Sequence, residues 1–573
     1  MRPMLRTPAV AAVLLLAAGA ATAQTAPQTC PATDDVCVVQ NGQTLNNVID
    51  ADTTATGDRI RDGRVYQLQR DGIYLIDSGI NNVGWHLRIV GAEGEGALPQ
   101  VYTAPNATSG NRVGDVFLQE GDITFRDFDF AGVLPPEAGG TLPFMSTTFV
   151  RTNASGYDLV MDNLTVVNLE AQIVRTQAAL RKFEMTNSIW ANSGWLGTDG
   201  TNFGAGKGID LRDGSIDSLI FRNNTFINYT DRIIRHRSST GPVQNMVFDH
   251  NTILNAVSYH GTLALGQVGN SVQITNNLWV DSFVAGEDSS DVVRQSEFDE
   301  SGEVYASNGQ AKLTWILSEP NETTTWTVAN NYYAVSDEVA AFYETFGDGG
   351  GDDGNPDNGT DGDNDIIGPG SPLTDHIRSR ISNPDLAFQE IDVELTDRPD
   401  APVAMVTWYR TETGRTKDTS TFDVETDDYD RRDLAYFIGD FDPSYPTTSP
   451  AYTAADNGCP VGDLSWFPEV DVEACLMGVA NEGDVARAAL GLTNGPNPFR
   501  DATTIRFTLP AASDVALDVF DALGRRVGTL ASGPLAAGDH TVRWAATDAA
   551  SGVYVVRLQA GDVVASHRVL VVR

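Results

Sequence analysis

The stretch MDNLTVVN at 161–168 is repeated with variations along the middle of the chain. An apolar residue opens each copy, polar residues follow, apolar residues return, and Asn or Asp closes most copies. Each copy is too short and too rich in β-branched residues for a helix, so it predicts a short strand, a polar bend and a second short strand. The other copies are FRDFDFAG (125–132, a degenerate first copy), MTNSIWAN (185–192), FRNNTFIN (221–228), FDHNTILN (248–255), ITNNLWVD (274–281) and VANNYYAV (328–335).

The spacing of the copies indicates a coiled stack of strands. Three of the intervals between copies are 24 to 27 residues long, and the longer intervals hold insertions. A unit of this length with three strands is one coil of a parallel β-helix, whereas propeller blades need about 40 residues and leucine-rich repeats need regular Leu. Stacked coils lie about 4.8 Å apart. We therefore predict a ladder of side-chain amides with a scaffold role, interrupted by His250 and formed by Asn163, Asn187, Asn223, Asn276 and Asn330.

The predicted fold class is all-β, a right-handed parallel β-helix followed by a C-terminal immunoglobulin-like β-sandwich. Residues 347–370 are almost pure Asp, Asn, Gly and Pro and cannot bury a core, so they are an insertion in the helix. The predicted division is a signal peptide at 1–23, an N-terminal segment or cap at 24–57, the helix at 58–476, a linker at 477–492 and the sandwich at 493–573.

The first residues have the layout of a secretory signal: Arg2 and Arg6, an apolar run, and small residues before the expected cleavage after Ala23. No later apolar run of about 18 residues predicts a transmembrane segment. The net charge of −39, from 38 basic and 77 acidic residues, argues against nucleic acid and anionic membranes as partners. We expect an exported monomer with two local disulfides, Cys30 with Cys37 and Cys459 with Cys475.

The last 80 or so residues resemble the type A C-terminal sorting domain of the type IX secretion system. The resemblance rests on motifs in one order: NPF at 497–499, LGR at 523–525, AGDH at 537–540, ASGVY at 550–554, and a short tail ending at Arg573. The tail departs slightly, with His567 and Arg568 where Lys is common. The resemblance implies contact with the type IX secretion machinery and a secreted or outer-membrane-surface location in a Gram-negative bacterium.

The central region resembles the pectate-lyase-like superfamily, above all its exported bacterial members of undefined function. The segments that carry the likeness are GWHLRIVG, DRIIRHR, YHGTLALGQVGNSVQITNNLW, NNYYAVSD and SPAYTA with VGDLSWFP, within 58–470. The superfamily holds lyases, hydrolases, epimerases and adhesins, so the likeness implies fold more than activity. The WIDH and RxPxxR motifs of one pectate lyase group and a triple-aspartate hydrolase set are missing from the sequence.

Basic residues recur in the strands that follow the repeated unit, and in so acidic a protein they would form a local positive stripe. Such a stripe could hold an acidic extracellular polysaccharide, because charges beyond about 8 Å are screened. For uronate β-elimination the candidate catalytic residues are Lys207, Arg235, His236, Arg237 and His260. The candidate substrate-binding residues are Arg175, Arg212, Arg232, Tyr259 and Arg294.

Two alternatives to the lyase stay open. The basic residues could pair with Asp210, Asp213 and Asp231 in a surface network, which would fit a non-catalytic glycan-binding or adhesin-like protein. Two of these carboxylates could instead serve a glycoside hydrolase. The sequence implies no particular cofactor. Calcium is the candidate ion for the insertion, because aspartates stand at alternate positions there: Asp361, Asp363 and Asp365. The full EF-hand pattern is absent.

Overall fold

The computed structural model divides the chain into two compact units, Met1–Cys475 and Leu476–Arg573. The residues described are 28–135, 138, 140, 144–194, 206–236, 241–288, 312–347, 366, 368–404, 406–407, 441–476, 492–495, 499–500, 502–509, 512–521, 525–546, 549, 552–560 and 563–572.

The first unit is a parallel β-helix with three faces. Its strands pair in parallel with the strands one coil earlier and one coil later. Two faces belong to one 18-stranded sheet and the third face is an 8-stranded sheet. Two long strands, Ile123–Ala131 and Tyr157–Leu169, bend and contribute to both the first and the second face.

The first face consists of β1 (Val36–Val39), β2 (Val65–Leu68), β5 (Leu87–Gly91), the first parts of β8 (Ile123–Ala131) and β10 (Tyr157–Leu169), β12 (Leu180–Thr186), β15 (Ile216–Arg222), β18 (Val243–Asp249), β21 (Val268–Thr275) and β24 (Thr325–Ala329). The second face consists of β3 (Ile73–Ile76), β6 (Gln100–Thr103), the second parts of β8 and β10, β13 (Ile189–Ser193), β16 (Thr225–Tyr229), β19 (Thr252–Ala256), β22 (Leu278–Val280), β25 (Asn331–Ala334) and β26 (Phe388–Glu390).

The third face consists of β4 (Ile80–Asn81), β7 (Asp115–Gln119), β9 (Thr148–Thr152), β11 (Gln172–Gln177), β14 (Lys207–Asp213), β17 (Ile234–His236), β20 (Leu263–Ala264) and β23 (Ile316–Leu317). The helices of this unit are α1 (Leu45–Ala51), α2 (Asp337–Phe346), α3 (Asp375–Arg378) and α4 (Val472–Leu476), and its 3₁₀ turns are Pro384–Leu386, Pro450–Thr453, Asp456–Gly458 and Leu464–Trp466. Because β1 already pairs with β2, the parallel stack starts at Val36, earlier than the predicted boundary at residue 58.

Stacked apolar side chains fill the interior of the coils. Aromatic rings of the same coil and of neighbouring coils contact one another, with centroids 5.2 to 6.5 Å apart. Such contacts add to the hydrophobic gain of burying these large side chains. The rings run along the axis in the order Phe183, Phe221, Phe226, Phe248, Trp279 and Trp315.

The bend between the first and second faces explains why Asn or Asp occupies the third position of most copies of the repeated unit. Its residues have φ between +50° and +59°, the left-handed region that Asn and Asp tolerate best. They are Asp127, Asn163, Asn187, Asn223, His250, Asn276 and Asn330. The predicted ladder forms in part: Asn223 Nδ2 donates to Asn187 Oδ1 at 2.7 Å, but Asn187 donates to Asp162 and Asn276 donates to Asp249.

A segment at 441–475, called the strap, packs along this bend. Thr225 Oγ1 donates to Asp463 Oδ2 at 2.7 Å, and Asn330 Nδ2 donates to Asp456 Oδ1 at 2.7 Å. In the two coils between, Thr252 Oγ1 and Asn276 Oδ1 accept from backbone N–H groups of the strap, so the strap touches four successive coils. Both predicted disulfides are confirmed, Cys459–Cys475 within the strap and Cys30–Cys37 beside β1.

The second unit contains antiparallel sheets. One sheet holds β27 (Thr493–Gly495), β28 (Ala502–Leu509) and β31 (Gly538–Ala545), and the other holds β29 (Ser513–Asp521), β30 (Arg526–Leu535), β32 (Gly552–Ala560) and β33 (Val563–Val571). Buried side chains from both sheets form one core. The predicted fold class, a parallel β-helix followed by an immunoglobulin-like sandwich, is confirmed. Among the described residues, none of the helices is long and apolar enough to cross a bilayer.

Candidate functional site

The third face carries a row of charged side chains, one per coil. Its register aligns Arg151 with Arg175, Arg175 with Asp210, and Asp210 with Arg235. The preceding residue on each of these strands belongs to the buried core, namely Val150, Val174, Ile209 and Ile234. Because side chains alternate along a strand, the charged residues lie on the outer side of the third face. We call Arg151, Arg175, Asp210 and Arg235 the charged row.

Asp210 lies at the centre of one charge cluster. Arg235 Nη1 donates to Asp210 Oδ1 at 3.3 Å, and Arg212 Nε lies 3.9 Å from Asp210 Oδ2. Asp210 and Arg235 are buried, whereas the Arg212 side chain is 31% exposed. Arg212 is therefore the part of this cluster that a ligand can reach.

Asp231 lies at the centre of a second cluster that joins three coils. Its carboxylate is 3.5 Å from Lys207 Nζ, 3.6 Å from Arg232 Nε and 3.0 Å from His260 Nδ1. Asp231, Arg232 and His260 are buried, and the Lys207 side chain is 14% exposed. Buried carboxylates need such partners, because an uncompensated buried charge is costly.

His236 and Tyr259 occupy enclosed positions. His236 is fully buried, and its Nδ1 lies 2.6 Å from the backbone oxygen of Leu265. Burial lowers the pKa of His236, so a neutral ring that donates its Nδ1 proton to that oxygen fits the site. Tyr259 is buried edge-on to His260, with ring centroids 4.9 Å apart. This placement favours a structural role for His236, not the catalytic role predicted from the sequence.

Several predicted residues lie outside the described part of the chain. They are Arg237, Arg294, Asp361, Asp363 and Asp365. The described residues contain no group of three or more His, Cys, Asp or Glu side chains placed to hold a metal ion.

The sequence reasoning missed Arg151, which opens the charged row. Its guanidinium lies 2.9 Å from Asp115 Oδ2, and its side chain is 26% exposed. The signal was present in the sequence, because Val150-Arg151-Thr152 repeats as Val174-Arg175-Thr176 one coil later.

The arrangement concentrates positive charge locally. The third face and its borders hold more basic residues than carboxylates. The basic residues are Arg151, Arg175, Lys207, Arg212, Arg232 and Arg235, and the carboxylates are Asp115, Asp210, Asp213 and Asp231. Arg151, Arg175, Lys207 and Arg212 are partly exposed, and they present guanidinium or ammonium groups suited to carboxylate or sulfate oxygens. Basic residues pair with Asp210 and Asp231, two of the three carboxylates of the predicted surface network, but both carboxylates are buried. Part of the positive charge is therefore compensated within the protein.

Comparison with family models found a match within the C-terminal unit. The family model of the FlgD Ig-like domain matches residues 498–562. This match agrees with the two antiparallel sheets of that unit. Searches of curated proteins and of solved structures found no match to the chain.

Proposed function

We propose that the protein is exported and acts on an acidic extracellular polysaccharide at the third face of its β-helix. The observation that carries this proposal is the charged row with Arg212, a basic face on a chain of net charge −39. Near-neighbour charges dominate over distant ones in salt solution, so an acidic polymer can bind here despite the overall repulsion. The likeness of the central region to pectate-lyase-like proteins supports the same class of ligand.

The preferred activity is that of a uronate lyase. Arg175 and Arg212 would bind the substrate carboxylate, and Lys207 would add a further positive charge beside it. His260 would remove the proton on the carbon next to the carboxylate. The electrons of that C–H bond then form a carbon–carbon double bond while the glycosidic C–O bond breaks, and Tyr259 protonates the leaving oxygen.

Asp231 is placed to orient His260, the base assigned to this reaction. With His260 Nδ1 3.0 Å from Asp231 Oδ1, the carboxylate favours the tautomer protonated at Nδ1. The other ring nitrogen is then the proton acceptor. The partner of Lys207 is the same carboxylate, so we assign Lys207 to charge neutralisation rather than to proton removal.

The second candidate is a glycan-binding protein without catalysis. The burial of His260, Tyr259 and Arg235 favours it, because catalytic groups must meet the substrate. Under this alternative the exposed arginines bind the polymer and the two clusters stabilise the coils.

The test uses the purified full chain and a panel of uronate polymers, with and without calcium. Binding is measured by titration calorimetry, and lyase activity by the ultraviolet absorbance of the unsaturated product. A lyase is supported if the unaltered chain forms product, the His260→Gln chain forms none, and the Arg175→Ala chain binds the polymer more weakly. Binding without product supports the second candidate. The matched control is Arg181→Ala, since Arg181 is an exposed, paired arginine on the first face. If no acidic polymer binds and no product forms, the proposal is refuted.

For the C-terminal unit we propose a sorting function. The support is the ordered set of motifs that resemble the type IX sorting domain, within an immunoglobulin-like unit. In a Gram-negative host with that secretion system, the full chain should reach the outer surface or the medium, and a chain lacking 493–573 should stay in the periplasm. Equal export of both chains would refute this role.

A further inference from the structure

The outer side of the first face changes from charged to uncharged along the β-helix. Two rows of outward residues run through its last four coils, two residues apart on each strand. One row is Ser218, Asn245, Ser271 and Thr325, and the other is Ile220, Val247, Gln273 and Thr327. In the preceding coils the same rows hold Asp158, Lys182 and Glu184. We call the uncharged part of the two rows the neutral patch.

Side-chain alternation directs the neutral patch away from the core. The residues between its two rows belong to the buried core, and they are Leu219, Met246, Val272 and Trp326. Thr325 and Thr327 at the end of the patch are exposed, and Ser271 and Gln273 are partly exposed. The patch is therefore open to solvent over its last two coils.

The neutral patch offers hydrogen bonds without charge. Ser271 Oγ donates to Asn245 Oδ1 at 3.1 Å, and Gln273 Nε2 donates to Thr275 Oγ1 at 3.1 Å. Hydroxyl and amide groups both donate and accept, so each retains capacity for a further bond. Because the rows repeat once per coil, about 4.8 Å apart, they present similar groups at regular intervals along the helix axis.

Two ion pairs border the patch, and they leave it without a base for an anionic ligand. Lys182 Nζ lies 2.8 Å from Glu184 Oε2, and Arg222 Nε lies 3.5 Å from Asp249 Oδ2. Each base is therefore already engaged by a carboxylate of the protein. This distinguishes the patch from the third face, where partly exposed bases outnumber their partners.

The net charge of the chain decides which partner fits the patch. At −39, the chain repels a second copy of itself and any acidic polymer, and the patch provides no local positive charge to offset that repulsion. A basic partner would gain more from the acidic surface elsewhere. An uncharged ligand rich in hydroxyl groups meets no repulsion and can exchange hydrogen bonds with the patch.

We propose that the neutral patch binds an uncharged polysaccharide lying along the helix axis. Its hydroxyl groups exchange hydrogen bonds with the Ser, Thr, Asn and Gln side chains of successive coils. The inference goes beyond the proposed function, because the ligand is a different one and no residue of the third face takes part.

The experiment titrates the full chain by calorimetry with hydroxyethyl cellulose, a soluble β-glucan and a galactomannan. We expect binding of at least one of them, with the same affinity at low and high salt, because screening acts on charges. The combined exchange Thr325→Val and Thr327→Val keeps the side-chain shape and removes both hydroxyls. It should weaken binding about threefold to tenfold for each hydrogen bond lost. The matched control is Thr345→Val, since Thr345 is an exposed threonine on α2.

Three results would overturn the proposal. They are no binding of any of the three neutral polymers, equal affinity of the unaltered chain and the combined variant, and a loss of affinity in the control as large as in that variant. A dimer in analytical ultracentrifugation that the combined exchange dissociates would also overturn it, because the patch would then serve a second copy of the chain. Thermal unfolding of both variants verifies that they fold as the unaltered chain does.

Discussion

The exchange Asp210→Asn tests whether the charged row depends on its central carboxylate. The Asp210 and Arg235 side chains are 4% and 9% exposed, and the Arg235 Nη1 to Asp210 Oδ1 distance is 3.3 Å. Removing one partner of a buried ion pair costs about 3 to 5 kcal/mol. The amide of Asn still accepts a hydrogen bond, so we expect about 3 kcal/mol. That is about a hundredfold in the unfolding equilibrium constant.

The same exchange should strengthen binding of an acidic polymer. It removes a negative charge from between Arg175 and Arg235, so the face becomes more positive. Stability and affinity are thus expected to move in opposite directions. A purely structural cluster with no ligand would lose stability without any change in binding.

Denaturant unfolding followed by tryptophan fluorescence measures the loss of stability, and calorimetric titration measures the affinity. If unfolding is irreversible, the unfolding rate takes the place of the equilibrium constant. Asp213→Asn is the matched control, because Asp213 ends the same strand but is exposed; it should change stability by no more than about 0.5 kcal/mol. An Asp210→Asn chain as stable as the unaltered one would refute the reasoning.

Three further outcomes are expected. Arg175→Ala should weaken binding of polyuronate about tenfold to a hundredfold, as the loss of a charge-assisted hydrogen bond costs about 1.5 to 3 kcal/mol; equal affinity in a titration would count against the charged row. The pKa of His236 is lowered by burial from 6.5, so unfolding takes up a proton and stability should fall as pH drops below about 6.5; His236→Gln should flatten this part of the stability–pH curve, and an unchanged curve would contradict the assignment. Replacing Cys459 and Cys475 together by Ser opens a loop of 16 residues and should lower the free energy of unfolding by about 3 kcal/mol. The loss is measured as a lower unfolding midpoint. An unchanged midpoint would mean that the strap is held by its hydrogen bonds alone.

The repeated unit predicted the coils because its period reflects local chain geometry. Asn at the third position marks a left-handed bend, and Asn187 and Asn223 indeed stack in adjacent coils. The strap could not be predicted in the same way. Asp463 reaches Thr225 across 238 residues of sequence, and no periodic pattern reports such a contact.

The candidate site was predicted as a set of residues rather than as an arrangement. The sequence pointed to Arg175, Lys207, Arg212 and Arg235, but strand register decides which of them align. Because Asp210 aligns with Arg175 and Arg235, the expected positive stripe is interrupted by a carboxylate. A one-residue difference in strand register would have turned that carboxylate toward the interior. The sequence pattern does not specify strand register to a single residue.

The strap has a consequence for the order of folding. Coils of a solenoid contact only their neighbours, so they can form one after another as the chain emerges. The strap contacts coils from Asn223 to Asn330 and follows all of them in sequence, so it can dock only after that whole stretch has coiled. Closure of the strap is therefore the step that converts a series of independently growing turns into one body that must come apart together.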